Sequence, residues 1–168
     1  MGSVKIDKTT TRGRLNIVLC DANGREKDRR EVNNLIVDVG LQYIVNRMVD
    51  ANKPVMSHMA VGSDDDLTNA AEFTDLGSTL GSRKALTTVT LKNSGASTQN
   101  DAIEYDAAFF AGESTGAVVE AGIFNDGTIG QGDMLARTTF PVVNKGVDDI
   151  LAISWTITLE PEVSSSGA

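Results

Sequence analysis

Over roughly the last hundred residues, apolar and polar side chains alternate in short runs broken by Gly, Asn and Asp. In Ile153-Ser154-Trp155-Thr156-Ile157-Thr158-Leu159 the odd positions are apolar and the even ones carry hydroxyls. An extended backbone therefore places Ile, Trp, Ile and Leu on one face and wets the other. Similar runs predict strands over 84–92, 103–110, 117–124, 134–140 and 149–159, separated by loops over 93–100, 111–116, 125–132 and 143–148. An earlier strand over 55–61 closes at Gly62, and a long polar connection over 63–82 follows, with a short helix expected near 67–73. Strands at this spacing, punctuated by turn residues, point to an antiparallel sandwich or barrel.

The N-terminal third reads differently. Residues 1–13 are polar and Thr-rich and offer no apolar face, which predicts an extended arm ordered only by contact. Leu15, Ile17 and Leu19 then alternate with Asn16, Val18 and Cys20, and Asp21-Ala22-Asn23-Gly24 is a hairpin turn signal. The return segment, Arg25-Glu26-Lys27-Asp28-Arg29-Arg30-Glu31, has no apolar residue, so it is either a guarded sheet edge or a ribbon that grips a neighbour through ion pairs. Asp38 is placed to cap a helix over 39–51, in which Leu41, Ile44, Val45 and Met48 form one apolar stripe expected to be buried. Pro54 ends it. The expected fold is thus mainly β: an antiparallel β-sandwich, jelly-roll or Ig-like, with one amphipathic helix and an extended N-terminal arm. The expected organisation is an arm and charged ribbon over 1–34, a sandwich body over 35–160, and a flexible tail over 161–168.

At 168 residues the chain can build one domain with a real core, without needing a disulfide or metal. Its apolar runs are too short to span a bilayer, and Met1-Gly2-Ser3-Val4-Lys5-Ile6-Asp7 lacks the layout of a secretion signal. No membrane partner is expected. Cys20 is the single cysteine, which excludes an internal disulfide and reads as a small strand residue. Charge is uneven: residues 1–38 carry eight Lys and Arg against six Asp and Glu, residues 39–168 seven against seventeen. The body is therefore strongly acidic and repels nucleic acid, whereas the mildly basic head is either solvated or laid against an acidic body.

Candidate chemistry is sparse. Asp64-Asp65-Asp66 lacks the alternating ligand spacing of a calcium loop and reads as a capping or solvated segment. His58 is the only histidine, which removes two-His metal sites, and no nucleophile-elbow motif accompanies it; a strand histidine satisfied by backbone partners is the expected role. Glu104, Asp106, Glu113 and Glu120 could pair as glycosidase carboxylates, but the aromatic platform a sugar needs is missing, with Trp155 buried by its alternation. Of Phe109 and Phe110, one should face outward. No catalytic residue, metal site or cofactor is expected.

The order of segments resembles small virion structural proteins of tailed bacteriophages. The residues that carry it are Asn34-Leu35-Ile36-Val37-Asp38-Val39-Gly40 before the helix, Met56-Ser57-His58-Met59-Ala60-Val61-Gly62-Ser63 after it, and Gly112-Glu113 with Glu120-Ala121-Gly122-Ile123-Phe124-Asn125. Met134-Leu135-Ala136-Arg137-Thr138, Asn144-Lys145-Gly146 and the closing strand Leu151–Leu159 complete it. The resemblance implies a non-enzymatic head decoration (cement) protein that clamps neighbouring subunits of the major capsid protein, commonly as a homotrimer. It would be made in the bacterial host cytoplasm and sit on the capsid surface. A tail, baseplate or fibre component, or a sandwich that binds glycans or a receptor, is the alternative. The arginines Arg12, Arg14, Arg25, Arg29 and Arg30 are the expected interface residues, because guanidinium groups pair bidentately with carboxylates. With residues 1–34 as the clamp, a body lacking residues 1–31 is expected to fold but not to bind the shell.

Overall fold

A computed structural model describes residues 9–50, 52–95 and 98–161. The first eight residues of the expected arm, the last expected helical residue and the tail beyond 161 lie outside the described residues. Among the described residues the protein is mainly β, with two antiparallel sheets and one α-helix. Strands β1 (Thr9–Cys20), β2 (Glu26–Ile36), β5 (Thr88–Lys92), β6 (Ala102–Phe109) and β9 (Ile150–Pro161) form the first sheet, in the order β2-β1-β9-β6-β5. Strands β3 (His58–Gly62), β4 (Lys84–Ala85), β7 (Gly116–Phe124) and β8 (Met134–Lys145) form the second, in the order β4-β3-β7-β8. The helix α1 spans Asp38–Val49.

The chain passes between the sheets at two corners. β2 pairs with β1 over most of its length, but its last two residues, Leu35 and Ile36, pair with Arg137 and Ala136 of β8. At the opposite edge the single strand expected over 84–92 is divided. Leu86 donates its N–H to Ser57 O beside the second sheet, and Thr87 donates to Asp106 O in the first, so each half serves a different layer. A similar break explains why β8 runs longer than expected. The register against β7 slips between Val118 and Glu120, and the exposed Pro141 sits in that bulge, where it has no ladder bond to lose.

The alternating pattern is realised as burial. Leu15, Ile17 and Leu19 of β1 stand opposite Trp155, Ile153 and Leu151 of β9, which in turn face Tyr105, Ala107 and Phe109 of β6. All nine are buried and share one core with Met59, Val61, Ala121 and Ile123 of the second sheet. A smaller apolar cluster, Val37, Ala60, Leu76, Phe124 and Met134, lies on the other face of the second sheet, where the 63–82 connection covers it. Trp155 donates its indole N–H to Asn34 Oδ1 at 2.8 Å. Gly13, the strand partner of Asn34, leaves that amide its space: a Cβ at Gly13 would fall 1.5 Å from Asn34 Oδ1.

Two expectations are corrected here. The ribbon of residues 1–34 is not an appendage from Thr9 onward: β1 is flanked on both sides, pairing with β9 from Thr9 to Cys20 and with β2 from Gly13. Its odd positions supply core residues, so a body lacking residues 1–31 would lose an interior strand. The helix also sits differently. Its N-cap is Val37 with no side-chain cap bond, and Asp38 lies in the first turn. The buried positions are Gly40 and Tyr43, with Ile44 half-buried; Leu41, Val45 and Met48 of the expected buried stripe are exposed. Gly40 explains the rotation. A Cβ there would lie 2.0 Å from Leu135 O, so the helix rests on β8 backbone to backbone and turns its apolar stripe away.

Candidate association surfaces

Arg14, Arg25, Arg29 and Arg30 of the charged hairpin pair within it, whereas Lys27 reaches out to Asp149 at 2.6 Å. Arg14 on β1 pairs with Glu31 across the β1–β2 ladder, and Arg30 pairs with Asp28. Arg29 grips Glu26 with Nε at 3.0 Å and Nη2 at 2.7 Å, which holds that carboxyl below its usual range. Arg25 serves the turn: its backbone N–H and Nε both donate to Asp21, and the backbone bond is the main cause of the lowered Asp21 pKa. Arg12 and Arg14 share a polar hollow on the outer face of the first sheet with Asn16, Asn33, Lys92 and Glu104. The expected interface arginines therefore do not form one cluster. Arg12 and Arg14 stand together, Arg29 lines a neighbouring hollow, and Arg25 and Arg30 brace the hairpin.

The four carboxylates weighed for hydrolysis are each bound to a local donor. Glu104 pairs with Lys92 at 3.0 Å. Asp106 accepts from Ser154 Oγ at 2.6 Å and Thr88 Oγ1 at 2.5 Å. Glu113 accepts from Lys84 Nζ at 2.6 Å and from Phe110 N–H at 2.8 Å, which together keep its carboxyl below the usual range. Glu120 is wholly buried and bonds to Arg137, to Gly77 N–H at 3.1 Å and to Ser78 N–H at 2.9 Å. Arg137 continues to Asp66 O at 3.0 Å and Asp64 O at 3.2 Å, and lies over the Phe73 ring at 4.1 Å. This pair ties the 63–82 connection to the second sheet.

Arg83 does the same for the 125–132 loop, donating to Asp126 O at 2.7 Å and Gln131 O at 2.8 Å, and pairing with Asp75 at 3.0 Å. No role for Arg83 or Arg137 is legible in the sequence: Arg83 stands between Ser82 and Lys84 just before β4, Arg137 follows Ala136 in β8, and only the fold shows that each charge is turned inward. The expected roles of the acidic run and the histidine also resolve. Asp64 and Asp66 carboxylates accept the N–H groups of Asp66 and Thr68, as loop residues do. His58 Nδ1 lies 2.8 Å from Ser57 Oγ, a side-chain partner rather than the backbone one expected. One phenylalanine of the pair faces outward, as expected: Phe109 is buried and Phe110 is exposed, with Lys84 Nζ 5.2 Å from its ring centroid.

The apolar surface is where the fold leaves something unmet. On α1, Leu41 is 44% exposed, Val45 60%, Met48 80% and Val49 85%. Beside the helix a cavity of about 730 Å³ opens between the sheets, walled by Tyr43 and Ile44 of α1, Ile103, Tyr105 and Ile157 of the first sheet, and Met56 and Leu135 near the second. Val55, Val89 and Leu91 at its mouth are each more than half exposed. Burial in this wall pushes the Tyr105 phenol up to about 12. Arg47 and Asp101 contribute one charge of each sign.

The sequence matches no protein-family model, and neither a curated protein nor a solved structure matches it. Among the described residues, no helix is long and apolar enough to cross a membrane.

Proposed function

We propose that the protein is a non-enzymatic structural component of a tailed-phage virion, a head decoration protein that binds across neighbouring major capsid subunits. The observation that carries this reading is the presence of two different contact surfaces on one sandwich. The outer face of the first sheet is broad and polar, with Arg12, Arg14, Lys92 and Glu104 among Asn and Thr side chains. The helix end is apolar and neutral. A protein that must both touch a shell and meet its own kind needs two such surfaces, and several modest contacts add by avidity in a symmetric array. The segment order that resembles small phage virion proteins supports the same reading.

The test is co-sedimentation of the purified protein with undecorated phage heads. The wild type should pellet with the heads, and the charge-reversed variant R12E/R14E should remain in the supernatant. Protein that ignores the heads would overturn the capsid assignment. The exposed Phe110 beneath Lys84 is the feature that favours glycan binding instead, and saturable binding on a glycan array would establish that reading.

A further inference from the structure

We infer that the exposed ridge of α1 and the groove beside it form the surface through which copies of this chain associate. Leu41, Ile44, Val45 and Met48 follow the i, i+3, i+4, i+7 spacing of a stripe made to be covered. Within one chain only Ile44 is partly covered, because the side pressed onto β8 is the one that carries Gly40 and Tyr43, with Gly40 about a quarter turn from the middle of the stripe and next to Ile44. By the 100° step of the helix, Ile44 lies between the groove wall and the ridge, so the two are adjacent parts of one apolar surface.

Its size and charge point to a second copy. The exposed fractions on ridge and groove mouth leave roughly 700–900 Å² of apolar side chain in water. That exceeds the few hundred Å² usual for a monomer patch and is close to the ≈ 800 Å² each partner gives a standard interface. The chain carries a net charge of -8, so two copies repel across most orientations. This surface adds nothing to that repulsion, since its groove holds one cation and one anion, Arg47 and Asp101. A convex ridge next to a concave groove is also self-complementary: the ridge of one copy fills the groove of the next, and cyclic symmetry closes the set. The inference deepens the capsid reading, which rests in part on this same surface, and its test uses the purified chain alone.

The experiment is light scattering coupled to size exclusion on the full chain at tens of micromolar. The wild type should elute at a multiple of the chain mass. Two variants on separate elements, V45E/M48E on the ridge and V89E/L91E at the groove mouth, should each elute as monomers. All four positions are exposed, so both variants should keep the far-ultraviolet dichroism and the buried-Trp155 fluorescence of the parent. A monomeric wild type would overturn the inference and leave the surface to a different occupant. An unchanged mass in either variant would overturn it as well. A wild type that self-associates but ignores undecorated heads would refute the capsid reading and leave this one intact.

Discussion

Arg137→Met is the sharpest perturbation the structure offers. It removes a buried cation that holds Glu120 through Nε at 2.8 Å and Nη2 at 2.7 Å and closes the 63–82 connection on Asp64 O and Asp66 O. Methionine restores much of the volume and none of the charge. Glu120 then keeps only backbone donors, from Asp64, Gly77 and Ser78, for a wholly buried carboxylate. Breaking one side of such a pair costs about 3–5 kcal/mol, although replacing both partners can be nearly neutral. At about 2–4 °C of melting temperature per kcal/mol for a domain of this size, the loss is roughly 6–20 °C. Thermal melts followed by dichroism measure it. Two features separate this mechanism from a general weakening. Amide exchange at Gly77 and Ser78 should accelerate before that of β1 or β9, because their N–H groups end on the Glu120 carboxylate. The double variant E120Q/R137M should be less damaged than the sum of the singles by about 1–3 kcal/mol. A loss under about 1 kcal/mol in R137M, or strict additivity with E120Q, would refute the view that the pair fastens the connection.

Gly13→Val should drive the Asn34 amide out of its place and orphan the Trp155 indole N–H, at about 1–3 kcal/mol for the lost partner alone. A lower urea midpoint with a red-shifted Trp emission checks it, and Trp155 is the only tryptophan. Tyr105 has its folded pKa raised to about 12 by burial first and by Tyr43 second, so its contribution is complete below the unfolded value near 10 and is lost as pH rises from 10 to 12. Urea titrations across that window should show stability falling by about 2–3 kcal/mol, and less in Y105F. The Asp149 carboxyl is held low, chiefly by Lys27 Nζ at 2.6 Å and then by the Gly146 N–H, so its contribution is present above about pH 4 and lost as pH falls through its folded value. K27A should show a shallower acid loss in the same titrations. A chain lacking residues 1–31 should have no cooperative melt, since β1 is interior to the sheet; a sharp transition in that fragment would contradict the role given to Leu15, Ile17 and Leu19.

The sheet was readable from the chain because period-two alternation is a local signal. The Ile153–Leu159 run shows Trp155 facing inward without any knowledge of its neighbours, and the pair Phe109 and Phe110 divides by the same rule. Other features depend on contacts distant in sequence. The helix was legible as a helix, but its rotation was not, because the pattern records that Leu41, Val45 and Met48 want cover and does not say from which molecule. Gly40 holds the missing information, but a glycine in a first helical turn signals nothing locally except weak helix propensity, and its meaning comes from Leu135 O against it. Residues 84–92 read as one strand because no local signal marks a change of layer at Leu86 and Thr87. The arginines of the hairpin drew notice by number and type, whereas the two that organise buried loops, Arg83 and Arg137, stand apart from any charged run, one beside Lys84 and one beside Ala136. Whether a charge turns inward is decided by partners tens of residues away, such as the Asp126 and Gln131 carbonyls for Arg83 and the Asp64 and Asp66 carbonyls for Arg137.

The β1–β9 ladder places Thr9 directly beside Pro161. In topological terms the described fold is almost a closed loop, and a few residues of linker would join its two ends without moving a strand. Opened instead within the long connection between β3 and β4, the same chain would present its new ends on the far sheet. Force applied in opposite directions at Thr9 and Pro161 would meet the ladder bonds one at a time, as a zip does. The same pull between the corner at Leu86 and the Asp21–Gly24 turn would load the sheets across both layers.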